Sequence, residues 1–451
     1  MPSRQLAALI LASALITLDG TATNIALPAI GRDLSASMPR LQWIANAPLL
    51  ALAAMLLPAG TAADRFGHVR LVRIGLMLFV AASVACALAW SDAAIIGAKL
   101  GQGAGGALVL PATLAVLRSA YGDAAERTRV LGIWAAWTGA AGAAGPLLAG
   151  VLVDVLSWRA VFIPPIVAGA AAVMLLKRES AGRARGSSPV PGFATAALMV
   201  VLGAFAYLVM HASRSGLNDG LLLIPAALAV AAGVALSRDP QRQVLFPREL
   251  VTSRNCLPAN GITFALYFGM FGLSFLLALY VQQVLHYSAM WAAVVLLPMS
   301  IMLLFAERFG RLTASVGTRW VVLGGALLAA GSLAWIGSAP HPVPFWSHII
   351  LGTACLGLGI SAAVSALTHA AVAAVPETCA GAASGLNHAV VRAAGLIAVA
   401  LLGSIAAPGA SDVISADGFR RAVLMCAAVV AAGGIAGSVR LRDDKPGGVE
   451  A

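Results

Sequence analysis

Apolar runs long enough to cross a bilayer follow one another from end to end of this chain, and nothing else constrains its fold as strongly. Crossing the hydrocarbon core as a helix takes about 20 apolar residues. In lipid a backbone must satisfy its own polar groups, so each such run is restricted to a helix. Fourteen candidates are centred near residues 18, 52, 81, 106, 141, 168, 202, 227, 270, 297, 329, 357, 393 and 428. Of the 451 residues 60% are hydrophobic and only 10% are charged, so no soluble-looking block interrupts the series. The expected fold class is an all-α polytopic membrane protein with 14 transmembrane helices.

The formal charge of +11 raises the question of nucleic acid. The basic residues, however, sit in short connectors between spans and form no single patch with interleaved aromatics. Placing the N-terminus in the cytoplasm puts 21 of the 29 Lys and Arg on the cytoplasmic side and 6 outside, with Lys99 and Arg392 inside spans. That distribution follows the positive-inside rule and predicts both termini in the cytoplasm of a cell (inner) membrane. The first run is too long and too polar at its centre for a cleaved signal peptide, and reads as a retained span. The five cysteines are odd in number, widely spaced and mostly within spans, which argues against a disulfide framework and a metal site.

Polar residues inside the spans carry the functional signal. Asp19 sits near the middle of the first run, where a carboxylate costs roughly 2.5 to 3.5 kcal/mol on insertion scales. Such a group is retained where it faces a cavity, a partner or a transported ion. Thr17, Thr21 and Asn24 share one face of that helix, while Asp19 and Thr23 form a second polar pair one turn apart. In the fourth span Lys99, Gln102, Gly103 and Gly106 fall on one stripe, so small residues admit close helix contact beside a buried lysine. Asp19 reads either as a proton-coupling acid or as a structural one, and Lys99 either as a proton relay or as a partner of Asp19 or of a backbone carbonyl. Arg392, four residues after His388, either meets an anionic substrate or pairs structurally.

Two connectors rich in Arg, Pro, Gly and Ser, Lys177 to Pro191 and Ser237 to Asn255, bracket two spans at about 192–212 and 217–237. The chain therefore divides into a six-helix bundle at 1–176, linkers with two inserted helices at 177–256, a second six-helix bundle at 257–438 and a tail at 439–451. An internal repeat supports the division. Gly60 to Arg70 after the second span is echoed by Gly310 to Arg319 after the tenth, with the glycines at the same spacing and Ala314 in the place of Asp64. Transporters are often built from such repeated halves, with substrate sites near the midplane between them.

Four elements together resemble the major facilitator superfamily, in particular its 14-span drug:proton antiporters, over nearly the whole chain. They are Leu18-Asp-Gly-Thr-Ala-Thr-Asn-Ile-Ala-Leu-Pro28, Gly60 to Arg70, Lys99-Leu-Gly-Gln-Gly-Ala-Gly105 and Gly145-Pro-Leu-Leu-Ala-Gly150. The resemblance implies two six-helix bundles plus two inserted central helices. It implies a proton-coupling and substrate cavity at Asp19, Thr23, Asn24, Lys99, Gln102 and Arg392. Lys99 stands where the family usually carries arginine. A gating loop is implied at Gly60, Asp64, Arg65, Gly67 and Arg70, where Asp64 and the arginines would latch the two halves in one state. An antiporter kink is implied at Gly142, Gly145, Pro146 and Gly150. Proline removes one helix hydrogen bond there, and Gly142 leaves room for the carbonyl it presses on.

The function expected from these residues is export of a small organic compound in exchange for protons, by a monomer in the lipid bilayer, with no cofactor, no metal and no nucleic acid. The alternatives on the same fold are an uptake symporter and an exporter of an endogenous metabolite. No Gly-Lys dipeptide occurs, hence no Walker A loop for ATP. Gly101 to Gly106 satisfies a dinucleotide-binding pattern but lies inside an apolar helix instead of after a strand. Ser361 and His369 lie about 12 Å apart along one predicted helix, too far for a nucleophile and its base. Glu307 beside Arg308 reads as an interfacial pair.

Overall fold

The computed structural model describes residues 3–121, 123–176, 192–215, 219–240, 250, 252–305, 309, 316–340, 342–373, 380–408 and 412–441. Among them fourteen α-helices follow in order: α1 (Ser3–Asp33), α2 (Met38–Phe66), α3 (His68–Ala87), α4 (Asp92–Ala120), α5 (Ala124–Val155), α6 (Ile163–Leu175), α7 (Gly192–Ser215), α8 (Leu223–Arg238), α9 (Cys256–Gln283), α10 (Ala289–Leu303), α11 (Thr318–Gly337), α12 (Leu351–Ala373), α13 (Ala380–Ala406) and α14 (Ala416–Arg440). Short 3-10 or π turns lead into α6, α8 and α12. Twelve of the helical stretches are long and apolar enough to cross a membrane; α2 and the shorter α10 complete the series. The side of the molecule where α1 begins is its near face, and the side where α1 ends is its far face.

The helices assort by contact into two groups. In the first, α1 packs on α5 and α6, and α4 on α2 and α3; in the second, α9 packs on α13 and α14, and α12 on α10 and α11. The groups meet along two seams, α5 against α10 and α2 against α13. The inserted helix α7 lies on both α2 and α13, and α8 packs chiefly on α7.

The repeat seen in the Gly60 to Arg70 segment continues into the backbone. Gly67 and Gly317 cap α3 and α11, each at φ 93°, a left-handed value that a side chain rarely adopts. Eight residues further on, Gly75 and Gly325 each face a carbonyl oxygen of the next helix, Gly105 and Gly359, so closely that an added Cβ would sit 2.7 and 2.6 Å from it. Two residues before those, Gly103 and Gly357 press in the same way on the carbonyls of Pro48 and Met299. Each half thus has one helix, α4 or α12, whose two glycine faces let neighbours on both sides approach to backbone contact. Residues 310–315 of the second loop copy, including Ala314, lie outside the described residues, as do Glu307 and Arg308 and most of the two basic linkers.

Candidate functional site

The polar residues of the first span and of the fourth come together at one point. The Lys99 ammonium donates to Asp19 Oδ2 at 2.9 Å, to Thr23 Oγ1 at 2.7 Å and to Gln102 Oε1 at 2.7 Å. Those are all three of its donors. Gln102 Nε2 donates to Asp19 Oδ1 at 3.2 Å and to Ser83 Oγ on α3 at 2.8 Å, and the Thr23 hydroxyl donates back to the Asp19 carbonyl. The ion pair is sealed, with side-chain exposure of 0% for Lys99 and 5% for Asp19. The Phe162 ring, 5.4 Å from the ammonium, closes the pocket. In a low dielectric such a network holds only when every member is satisfied, and here the carboxylate and the ammonium are. Ser83 and Phe162 were not singled out from the sequence. Ser83 is one small polar residue in an apolar helix, and only its contact with Gln102 marks it.

Among the described residues the second half has no counterpart of this pair. Thr353 lies four residues before Gly357, as Lys99 lies four before Gly103, and its hydroxyl returns to the Ile350 carbonyl of its own chain segment. A neutral cluster stands nearby instead: Asn387 Nδ2 donates to Asn260 Oδ1 at 3.2 Å and to Thr263 Oγ1 at 3.3 Å, tying α13 to α9.

Open space borders the middle of α1. α1 is flanked by α5 and α6 of its own half and by α9 of the other. Yet Gly20 at its middle is exposed, with nothing within 4 Å of where a Cβ would stand. Thr17, Thr21 and Asn24 are partly accessible, but Thr17 and Thr21 lie against Gly142 and Gly145 of α5, so of the face read from the sequence the side of Gly20 and Asn24 is the one left open. Asp19 and Lys99 lie behind it, within the first half. In the second half, at similar depth, His388 on α13 is exposed while Tyr267 on α9 and Arg392 on α13 are partly so.

The far end of that space is tied shut between the halves. Gln42 of α2 donates to the carbonyls of Val399 and Ala400 on α13 at 2.9 and 2.8 Å, and Gln282 of α9 donates to the Ile25 carbonyl of α1 at 3.1 Å. Asp412 accepts from the Met38 amide at 3.0 Å. The strongest tie uses Asp154 at the end of α5, whose carboxylate accepts from the amides of Ala289 and Met290 at 3.1 and 2.9 Å. Ser288, at the N-cap of α10, offers no side-chain cap of its own. A carboxylate of one half therefore caps a helix of the other and meets the positive end of its dipole. Beyond the seal, a cavity of 610 Å³ opens at the far face, bordered by Arg32, Asp33, Asp154, Arg159, His286 and Tyr287. There Arg159 is fixed by Asp33 Oδ2 at 2.6 Å and by the Ala89 carbonyl at 3.0 Å. Asp154→Ala is expected to weaken the seal by about 1 to 2 kcal/mol, a five- to thirty-fold shift toward the far-open form. Faster reaction of a cysteine placed at Gly20, on the inner side of the seal, with a membrane-impermeant thiol reagent added at the far face would report it; an unchanged rate would remove Asp154 from the seal.

The glycines of the antiporter element serve close packing. Gly142 meets Thr17 and Gly145 meets Thr21 and the Leu18 carbonyl, both on α1, whereas Gly150 meets Met290 and the Ala289 carbonyl on α10. α5 runs as one helix through Pro146. One helix thus touches the central helix of its own half and the seam to the other. In the loop motif Gly60 has open space around it and Arg65 and Arg70 are exposed, with the Arg65 guanidinium over the Phe66 ring. The side chains of Asp64 and His369 lie outside the described residues.

Many membrane-length helices in two groups, tied together near one face, define a multi-pass membrane protein. The chain belongs to the major facilitator superfamily, whose family model matches residues 9–400. It is 31% identical over 365 residues to the methylenomycin A resistance protein of Bacillus subtilis, covering 79% of this chain and 78% of that protein. It is 32% identical over 409 residues to the tetracenomycin C resistance and export protein of Streptomyces glaucescens, covering 88% and 75%. The puromycin resistance protein of Streptomyces alboniger is 30% identical over 428 residues, with 91% and 83% covered. The crystal structure of peptide transporter POT in complex with sulfate shares the fold at a TM-score of 0.72 and 16% identity, covering 96% of this chain and 93% of that one.

Proposed function

We propose that this protein exports small organic compounds of the drug or antibiotic type in exchange for protons, by alternating access. The relatives named for antibiotic resistance and export support the direction. Counting α2 and α10 as crossings gives fourteen spans, and the basic connectors support a reading with the near face and both termini in the cytoplasm. The far face opens outside the cell, and a monomer suffices for the path. In this orientation the cavity is sealed from the outside, ready to load from the cytoplasmic side.

The observation that carries the coupling is the sealed Asp19–Lys99 pair directly behind the cavity face of α1. A proton added to the Asp19 carboxylate breaks its ionic bond to Lys99 and leaves the ammonium uncompensated in a dry pocket. Loss of that proton restores the pair. The two states differ in charge and in how firmly α1 is held to α4, which is the differential interaction a coupled carrier needs. A potential of about 100 mV contributes ~2.3 kcal/mol per charge moved, and one pH unit about 1.4 kcal/mol per proton. Together they sustain roughly a several-hundredfold substrate gradient if one net charge moves per cycle.

The test is proton movement when candidate drugs are added to inverted vesicles carrying wild type, Asp19→Asn or Lys99→Ala, read with a pH-sensitive dye. Drug-induced flux in the wild type that vanishes in Asp19→Asn is the expected result. Flux surviving in that variant would move the coupling to Lys99 or Arg392, and drug accumulation in whole cells that falls when an uncoupler is added would indicate uptake.

A further inference from the structure

Charge balance around the cavity is uneven. At mid-depth the first half contributes Asp19 and Lys99, which cancel each other out of reach of the cavity. The second half contributes Arg392, and among the described residues it makes no hydrogen bond and no ion pair. An uncompensated guanidinium at that depth costs roughly 2.5 to 3.5 kcal/mol and is retained where it does something. Of the two sequence readings for Arg392, the structural pairing is the one the contacts do not supply.

Its position on α13 fixes what it can meet. Gly395, on the same helix stripe, abuts Phe271 of α9 and Leu49 of α2, and Val399 beyond it presents its carbonyl to Gln42. That stripe therefore faces the seam between the halves, and Arg392 and His388 continue it toward the near face, below the seal. The Tyr267 hydroxyl and the His388 ring both lie within electrostatic reach of the guanidinium. Tyr267 and Phe271 stand together on α9, ring centroids 6.1 Å apart, next to the apolar Met270. The site thus offers a planar, doubly donating cation next to a pair of aromatic rings, with no acid beside it among the described residues. A guanidinium matches a carboxylate with two parallel hydrogen bonds, which an ammonium cannot do.

We propose that Arg392 selects the substrate, and that the substrate class is an aromatic organic acid whose carboxylate is held by the Arg392 guanidinium while its ring lies against Tyr267 and Phe271. This rests on the efflux reading above only for direction; the site itself is a statement about binding. It also sets a preference opposite to that of a cavity built around an exposed carboxylate, because a lipophilic cation would meet Arg392 with like charge and find Asp19 already paired.

The experiment compares two dyes with one xanthene core: fluorescein, which carries a free carboxylate, and rhodamine 6G, whose carboxyl is esterified and whose core is cationic. Binding to the purified full-length protein in lipid nanodiscs is read by fluorescence anisotropy. The wild type is expected to bind fluorescein at least about tenfold more tightly than rhodamine 6G, and Arg392→Gln to lose about ten- to a hundredfold in fluorescein affinity, the worth of one charge-assisted contact. Arg392→Lys keeps the charge without the fork and is expected to lose about threefold or more. If Arg392→Gln does not yield folded protein, the lysine variant carries the test. Tighter binding of rhodamine 6G by the wild type, or fluorescein binding unchanged in either variant, overturns the proposal. Uptake of dye into inverted vesicles under a proton gradient separates the two readings. Rhodamine 6G export with no response to Arg392→Gln would sink the acid site and leave efflux standing. The anionic preference without energised movement of either dye would support the site and count against export.

Discussion

Lys99→Met is expected to destabilise the protein by about 3 to 5 kcal/mol, because it leaves the Asp19 carboxylate buried with no counter-charge. The melting transition in detergent should fall accordingly, and transport should be lost with it. The double variant Asp19→Asn, Lys99→Met is the informative partner. It removes both charges together, and a neutral, well-packed replacement of a buried pair is often no less stable than the pair itself. The double variant is therefore expected to recover most of the lost thermal stability while recovering none of the drug-driven proton flux. Recovery of both would show that the pair is only structural, and recovery of neither would show that the loss comes from Gln102 and Ser83, which would be left bonded to a rearranged pocket.

Gly145→Val should abolish export while leaving the protein in the membrane at near-normal level. A Cβ at this position would collide with the Thr21 hydroxyl and come within 2.7 Å of the Leu18 carbonyl, both on α1. Relieving that overlap costs about 1 to 3 kcal/mol and moves α5 away from the helix that carries Asp19. Gly132, on the same helix with nothing within 4 Å, provides the contrast: Gly132→Ala should keep full activity. Resistance or dye-efflux assays in cells, with membrane content measured by immunoblot, distinguish the outcomes. Full activity in Gly145→Val would mean that the α1–α5 contact is not maintained during the cycle.

Much of this architecture was legible in the sequence because a bilayer leaves few choices. Runs long enough to span become helices, and glycines and prolines between them become turns. The expected inserted spans, 192–212 and 217–237, correspond to Gly192–Ser215 and to Leu223–Arg238 with its leading turn at Gly220–Leu222. Asp19 with Thr23 and Lys99 with Gln102 are legible as polar residues out of place in two apolar helices, with Lys99 as one possible partner of Asp19, and the structure brings all four together. What the sequence did not reveal are relations between distant positions. Nothing around Asp154 distinguishes it from any acid at a helix end, since its role depends on Ala289 and Met290 arriving from the other half. The glycine pairs Gly75–Gly105 and Gly325–Gly359 were hidden for the same reason: each glycine is ordinary in a membrane helix until the facing one is known. Asp19 itself was half legible. Its depth was evident, but only the network with Lys99 shows that it stands behind the cavity wall and not on it.

The inserted helix α7 has one further consequence. It packs Ala206 and Met210 into a small cluster with Leu50 of α2 and Leu396 and Ala400 of α13, and Gly203 sits against Leu50. One helix therefore roofs the α2–α13 seam from the surrounding lipid while gripping both halves through small and aliphatic side chains. Compounds dissolved in the bilayer cannot slip sideways into the cavity through a seam so covered. Among the described residues neither inserted helix packs on the other seam, where α5 meets α10, so the molecule is asymmetric in how its two seams are covered even though its two halves are built on one plan.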